Sequence, residues 1–328
     1  MNQAAQPHVK KELKLRVNSV VAETGDIKRY ELVSAIPGDL PPFTAGAHID
    51  IIPGNQMRRS YSLANSPSER HRYVIAVLRE SSGRGGSAWI HDHVKEGDTL
   101  SAVEPLNNFE LAKDASEHVF LAGGIGITPI LAMGYRLREI GAKAHLYYCT
   151  RSPEKTAFRK EVIETFGQNI TMHHDNGDPA KVIKLGEILK NQPVGAHLYI
   201  CGPTGLIETA QKTAAHWTEG TVHVEHFKPT EKTPPPAGNQ PFEVVLLRSK
   251  LTLTIPADKT ILEVVRVAGI NADSSCEAGI CSTCETGLIS GKADHRDDIL
   301  TAADKAANRK IMICVSRAQP GETLVLDL

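Results

Sequence analysis

The stretch Ser274-Ser275-Cys276-Glu277-Ala278-Gly279-Ile280-Cys281-Ser282-Thr283-Cys284 sets three cysteines in the spacing C-x4-C-x2-C, and Cys314 follows as a fourth. The small residues and glycine between them let a loop curl tightly and aim backbone N–H groups at sulfur. A disulfide framework belongs to short, secreted, cysteine-dense chains. Here four cysteines crowd one end of 328 residues with no export signal at the start. Zinc sites usually combine two C-x2-C pairs, and only one such pair is present. The spacing predicts the ligand set of a plant-type [2Fe-2S] cluster, held by Cys276, Cys281, Cys284 and Cys314.

Upstream of this stretch, Phe242 to Arg248 and Leu251 to Ile255 flank a short polar turn, a hairpin signal, and Ile261 to Ala268 has helical periodicity. They predict a C-terminal α+β domain over 242–328. Before it, 229–241 contains Thr233-Pro234-Pro235-Pro236-Ala237-Gly238, which can continue neither a helix nor a strand ladder and reads as a linker.

Residues 113–228 have another rhythm. Short apolar runs at His118–Ala122, Ala144–Cys149, Asn169–His173 and Ala196–Ile200 alternate with helical or turn segments, which predicts a parallel sheet wrapped by helices. After the first run comes Gly123-Gly124-Ile125-Gly126-Ile127-Thr128-Pro129, with Thr128 expected as N-cap, Pro129 as the first helical residue and Gly141 closing the helix. A glycine-rich turn into a helix can face a pyrophosphate with N–H groups, although Pro129 breaks the G-x-G-x-x-G pattern. Cys201-Gly202-Pro203 forms a second small-residue turn after the fourth run, at the strand end where ligands of open α/β sheets bind. Residues 1–112 carry strand-like runs between turn clusters and predict an antiparallel β-barrel. Within it, Arg59-Ser60-Tyr61-Ser62 sets a guanidinium, hydroxyls and a ring along one strand, and Gly83-Arg84-Gly85-Gly86-Ser87 offers a backbone nest for a phosphate.

At 41% hydrophobic and 23% charged residues, the composition excludes disordered and fibrous classes. The formal charge of −1 gives no reason to expect nucleic acid or an anionic membrane as partner, no apolar run spans a bilayer, and the polar start implies a cytoplasmic location. His71, His91, His93, His173 and His174 lie scattered and read as surface or core histidines rather than metal ligands.

R-x-Y-S, G-G-x-G-x-T-P, C-G-P and the C-terminal C-x4-C-x2-C…C, in this order across residues 12–328, resemble the phthalate dioxygenase reductase family, which includes vanillate demethylase reductases. The resemblance implies a flavin barrel, an NADH-binding α/β domain and a plant-type ferredoxin domain in one chain. It places Arg59 and Ser60 at the flavin phosphate, Tyr61 and Ser62 at the isoalloxazine, and Gly86 and Ser87 in the phosphate loop. Gly124, Gly126 and Thr128 go to the NADH pyrophosphate and nicotinamide, Cys201 to the nicotinamide, and Phe227 against the flavin. The implied flavin is FMN and the implied acceptor a Rieske-type oxygenase. In Thr150-Arg151-Ser152 the arginine and serine suit a ribose 2′-phosphate, but the same Thr-Arg pair occurs in NADH-using relatives, so the resemblance favours NADH over NADPH.

A hydride carries two electrons and a [2Fe-2S] cluster accepts one, so a flavin between them suits the set, and no acid or base side chain is required. A redox-sensing module and a reductase serving a diiron monooxygenase are the alternatives. From Phe242 to Leu328, 12 acidic side chains face 10 basic ones, and Glu277 and Glu285 beside the cluster loop read either as a solvated acidic face or as carboxylates that steer the partner.

Overall fold

The computed structural model describes residues 11–52, 58–81, 85–229 and 238–328. The chain forms two compact units, Met1–Glu225 and His226–Leu328. The first unit contains both the barrel and the α/β region. The expected linker falls largely on 230–237, outside the described residues.

The first unit opens with β1 (Glu12–Ala22), β2 (Ile27–Ser34), β3 (His48–Ile52), β4 (Arg59–Ser62) and β5 (Arg72–Leu78), then helix α1 (Gly86–His93) and β6 (Thr99–Leu106). They make a six-stranded antiparallel sheet in the order β4-β3-β6-β1-β2-β5. Leu63, just past β4, bridges Ile75 of β5 and draws the two edges together, which gives the expected barrel. Period-2 alternation sends Leu13, Leu15 and Val17 of β1 inward, where they meet Tyr30, Leu32, Ile49, Ile51 and Tyr73. Helix α1 was not expected. Its eight residues follow a glycine-rich run, and the sequence there reads as a hairpin tip.

The second half of this unit runs β7 (Glu117–Gly123), α2 (Ile127–Glu139), β8 (Ala144–Thr150), α3 (Arg159–Phe166), β9 (Ile170–His174), α4 (Leu185–Ile188), β10 (Ala196–Cys201), α5 (Thr204–Thr213) and β11 (Val222–Glu225). All five strands are parallel, in the order β11-β10-β7-β8-β9. The sheet buries Val119, Leu121, Leu198 and Ile200 against Ile207, Ala210 and Trp217. The carboxyl ends of β7, β10 and β11 therefore open side by side. Two ion pairs, Arg29–Glu161 at 2.6 Å and Lys155–Asp26 at 3.0 Å, tie the barrel to the α/β half.

The second unit contains β12 (Phe242–Leu246), β13 (Leu251–Ile255), α6 (Ile261–Val267), β14 (Glu285–Ser290), β15 (Ala293–Asp294), α7 (Ala302–Ala307), β16 (Lys310–Met312), β17 (Arg317–Ala318) and β18 (Leu324–Leu326). Its main sheet runs β13-β12-β18-β14-β16, with the expected hairpin at β12–β13. Helix α6 starts at a capping box between Thr260 and Glu263, worth ~1 kcal/mol, and packs Ile261, Leu262 and Val265 on the sheet. The cysteine loop fills the stretch between α6 and β14.

Candidate functional site

In the barrel, β4 projects the R-x-Y-S side chains alternately. Arg59 lies over Gly86 at the start of α1, with its Nε only 2.7 Å from where a methyl on Gly86 would stand. The fork and the first turn of α1 thus converge, an arrangement that suits a phosphate. Ser87 offers its hydroxyl oxygen to the Glu80 amide at 3.0 Å and so closes the same corner. Residues 82–84, including two positions of the expected phosphate nest, lie outside the described residues. Ser60 donates to Asp50 at 2.6 Å, and Tyr61 packs on the barrel core, where burial raises its phenol. Ser62 points the other way and donates to Glu225 Oε2 at 3.3 Å.

At the carboxyl ends of β7 and β10, two glycine loops press backbone on backbone. A methyl on Gly126 would overlap the Cys201 carbonyl, and one on Gly123 would stand 2.6 Å from Pro203 Cδ. Glycine at 126 is therefore a packing requirement. Gly124, at φ +51, instead borders open space, so it is the glycine whose missing side chain leaves room for a ligand. Thr128 is not the N-cap: a 3-10 turn over Gly124–Gly126 starts the helix early, Gly126 is the cap, and the Thr128 hydroxyl donates back to the Ile125 carbonyl at 3.0 Å. Helix α2 consequently begins with no side-chain cap, and the positive end of its dipole suits a pyrophosphate.

Glu225 is the functional residue that sequence reasoning missed. It ends β11 in register with Cys201 of β10, accepts from Ser62, and lies 4.0 Å from the Cys201 sulfur. Burial pushes its carboxyl up to about 8, opposed by the Ser62 hydroxyl, and the same burial raises the Cys201 thiol. Three strand ends from two sheets bring Ser62, Cys201 and Glu225 together. A signal existed, since the residue ending a parallel strand beside Cys201 must face the same crevice. Phe227, two residues on, is half-buried in the other unit.

The four cysteines of the second unit form two sulfur pairs. Cys284 and Cys314 stand 3.1 Å apart, and Cys276 is paired with Cys281, whose sulfur accepts the Cys276 amide at 3.4 Å. Ala278 sends its amide to Cys276 at 3.4 Å, and Thr283 Oγ1 lies 3.4 Å from Cys281. The Cys276 thiol and then Thr283 hold the Cys281 thiol below the usual range. Left-handed backbone at Glu277, Gly279 and Ser282 turns these amides inward. Two pairs suit two irons that each take two thiolates. Among the described residues, no three His, Cys, Asp or Glu side chains converge as a single ion would need. Glu277 is held by Arg266 at 2.7 Å and Glu285 stands 3.6 Å from Lys310, so neither expected steering group is an isolated charge.

Of the scattered histidines, His91 is buried and bonds the Val77 carbonyl at 2.7 Å, His173 bonds the Lys181 carbonyl at 2.7 Å, and His71 is exposed. Arg151, beside the expected nucleotide-selecting turn, is exposed.

Phthalate dioxygenase reductase of Burkholderia cepacia is 44% identical over 318 residues, which cover 96% of this chain and 97% of that protein. The chain belongs to the phthalate dioxygenase reductase family. Vanillate O-demethylase oxidoreductase of Acinetobacter baylyi is 39% identical over 93% of this chain and 95% of its own length. Two family models match this reductase: the N-terminal domain described as dimethylamine monooxygenase subunit DmmA-like over 104–220, and the 2Fe-2S iron-sulfur cluster binding domain over 244–319. The solved phthalate dioxygenase reductase, described as modular for electron transfer from pyridine nucleotides to [2Fe-2S], superposes with a TM-score of 0.72 over 97% of this chain and 98% of that one. An intact type IV self-sufficient cytochrome P450 monooxygenase gives a TM-score of 0.88 at 36% identity over 97% of this chain, which spans only 41% of that longer protein. No helix among the described residues is long and apolar enough to cross a membrane.

Proposed function

We propose that this chain is the reductase component of an oxygenase system, taking electrons from NADH through FMN and a [2Fe-2S] cluster to a separate Rieske-type oxygenase. The observation that carries the reading is the crevice where Ser62 of the barrel meets Cys201 and Glu225 of the parallel sheet, in a chain that also folds two cysteine pairs. When bound, the nucleotide supplies a hydride, the flavin splits the electron pair and the cluster relays single electrons.

Each part of the chain has work to do around those groups. Arg59, Gly86 and Ser87 form the corner for the flavin phosphate, with Ser60 braced on Asp50. Tyr61 and Ser62 border the isoalloxazine, and Phe227 is assigned to it by family position. Gly124 and the uncapped start of α2 accept the nucleotide pyrophosphate, while Gly126 and Thr128 hold the loop's shape. Cys201 borders the nicotinamide. With its carboxyl pushed up to about 8, Glu225 keeps its proton at neutral pH and adds no negative charge to the crevice. Cys276, Cys281, Cys284 and Cys314 hold the cluster. The residues divide by role into a flavin part over 1–112, a nucleotide part over 113–228, a connector over 229–241 and a ferredoxin part over 242–328, and the location is cytoplasmic.

Flavin extraction with iron analysis tests the cofactor set: one FMN and two irons per chain are expected. FAD in the extract overturns the flavin assignment. Rapid mixing with NADH is expected to bleach flavin and cluster together. A cluster that stays oxidised would instead favour a sensor that does not turn over NADH.

A further inference from the structure

Behind the cysteine loop lies a carboxylate with no solvent exposure, Asp297. Its Oδ1 accepts the amides of Ile299 at 3.2 Å and Leu300 at 2.7 Å, which fixes a tight turn leading toward α7. Next to it, the Asp298 amide donates to the Gly279 carbonyl at 2.9 Å. Gly279 sits at the crest of the cysteine loop with φ +74, so close that a methyl on it would stand 3.0 Å from Asp297 Cα and 2.8 Å from a methyl of Val315. On its other side, the Gly279 amide donates to the Cys314 sulfur. The turn set by Asp297 thus grips the peptide that faces one of the four sulfurs.

Lys305 and His295 are basic side chains near this carboxylate. Lys305 Nζ donates to the Asp297 carbonyl at 2.7 Å and stands 3.9 Å from Oδ1, and its side chain is 31% exposed. His295 Nδ1 lies 3.9 Å from Oδ2 and is nearly buried. A charge held in the interior acts over a longer range than one on the surface, because little water screens it.

We infer that Asp297 is a positioning residue for the cluster: its turn holds the Gly279 peptide against the Cys314 sulfur, and its buried charge lowers the cluster's reduction potential. The inference rests on the assignment of the four cysteines to a [2Fe-2S] cluster. Reduction adds an electron, so a fixed negative charge nearby opposes it and a fixed positive charge favours it.

The test uses the full holoprotein and reads iron content, the reduced-cluster EPR spectrum and the potential. Wild type without two irons would sink the cluster assignment itself and is distinguishable from every other result. Asp297→Asn keeps a side-chain oxygen for the two amides but removes the charge. It should retain iron while the ratio of reduced to oxidised cluster at a fixed poise rises about tenfold, which is ~59 mV for a one-electron couple. Lys305→Met removes the partly exposed cation and should move the ratio the opposite way, by about two- to threefold because water already screens it. Opposite shifts in the two variants support the inference. A potential unchanged in both, or a shift of the same sign in both, overturns it. Should Asp297→Asn lose iron, Lys305→Met decides alone: a lower potential supports the role and an unchanged one refutes it.

Discussion

Replacing Glu225 by glutamine tests the crevice through stability. The side chain keeps its size and its place beside Ser62 and Cys201, but it can no longer ionise. In the folded protein the carboxyl of Glu225 sits at about 8 against an ordinary 4.5. A raised value means that the folded state holds the proton more tightly. The stabilisation is complete below the ordinary value and is lost as pH climbs through the folded one. One pKa unit corresponds to ~1.4 kcal/mol, so the full window is worth roughly 5 kcal/mol and the span from about pH 5.5 to about pH 8.5 roughly 3 kcal/mol. Glu225 retains part of its surface, and solvent reaching it reduces that span to ~2 kcal/mol. Both tryptophans, Trp89 and Trp217, lie in the first unit, so their fluorescence during urea unfolding reports on that unit. Wild type should lose stability relative to Glu225→Gln by ~2 kcal/mol across that pH span. Unfolding curves that shift in parallel with pH, within about 0.5 kcal/mol, would show that Glu225 is ionised in the fold and refute the reasoning.

Three other outcomes are expected. Gly126→Ala forces the two glycine loops apart and should cost ~2 kcal/mol of stability in thermal unfolding, whereas Gly124→Ala should cost ~1 kcal/mol and chiefly weaken NADH binding; the reverse ranking would exchange their roles. Cys314→Ala should lose the cluster EPR signal yet keep NADH-driven flavin reduction, and a retained signal would remove Cys314 from the ligand set. Because Glu277 and Glu285 are already offset by Arg266 and Lys310, converting both to glutamine should change partner reduction less than about twofold even at low salt; a larger loss would restore the steering role expected from composition.

Much of this was legible because it depends on spacing along the chain. The cysteine loop, the parallel strands and the β12–β13 hairpin are local patterns, and they lie where residue order puts them. Ser282 shows how far such reading goes: serine is visible in the sequence, but its left-handed backbone, φ 55, is visible only once the loop closes on the sulfurs. Helix α1 was hidden because a glycine-rich run precedes it and its eight residues carry a weak apolar stripe. Thr128 has the composition of a cap, yet the 3-10 turn before it moved the helix start, a choice made by the packing of Gly126 on Cys201. Glu225 ends a strand that the four apolar runs left out, and its meeting with Ser62 needs strands from two sheets.

The position of Glu225 also bears on how such a chain can be recombined. It is the last residue of the first unit, so the strand ends that carry Ser62, Cys201 and Glu225 all precede the point where the second unit begins. A genetic junction placed after it leaves the hydride-handling half with every strand end in hand, whereas a cut a few residues earlier would discard both Glu225 and the edge strand that carries it. Such a design is portable as a cassette. That accords with nearly the whole of this chain matching a segment of a self-sufficient P450 more than twice its length.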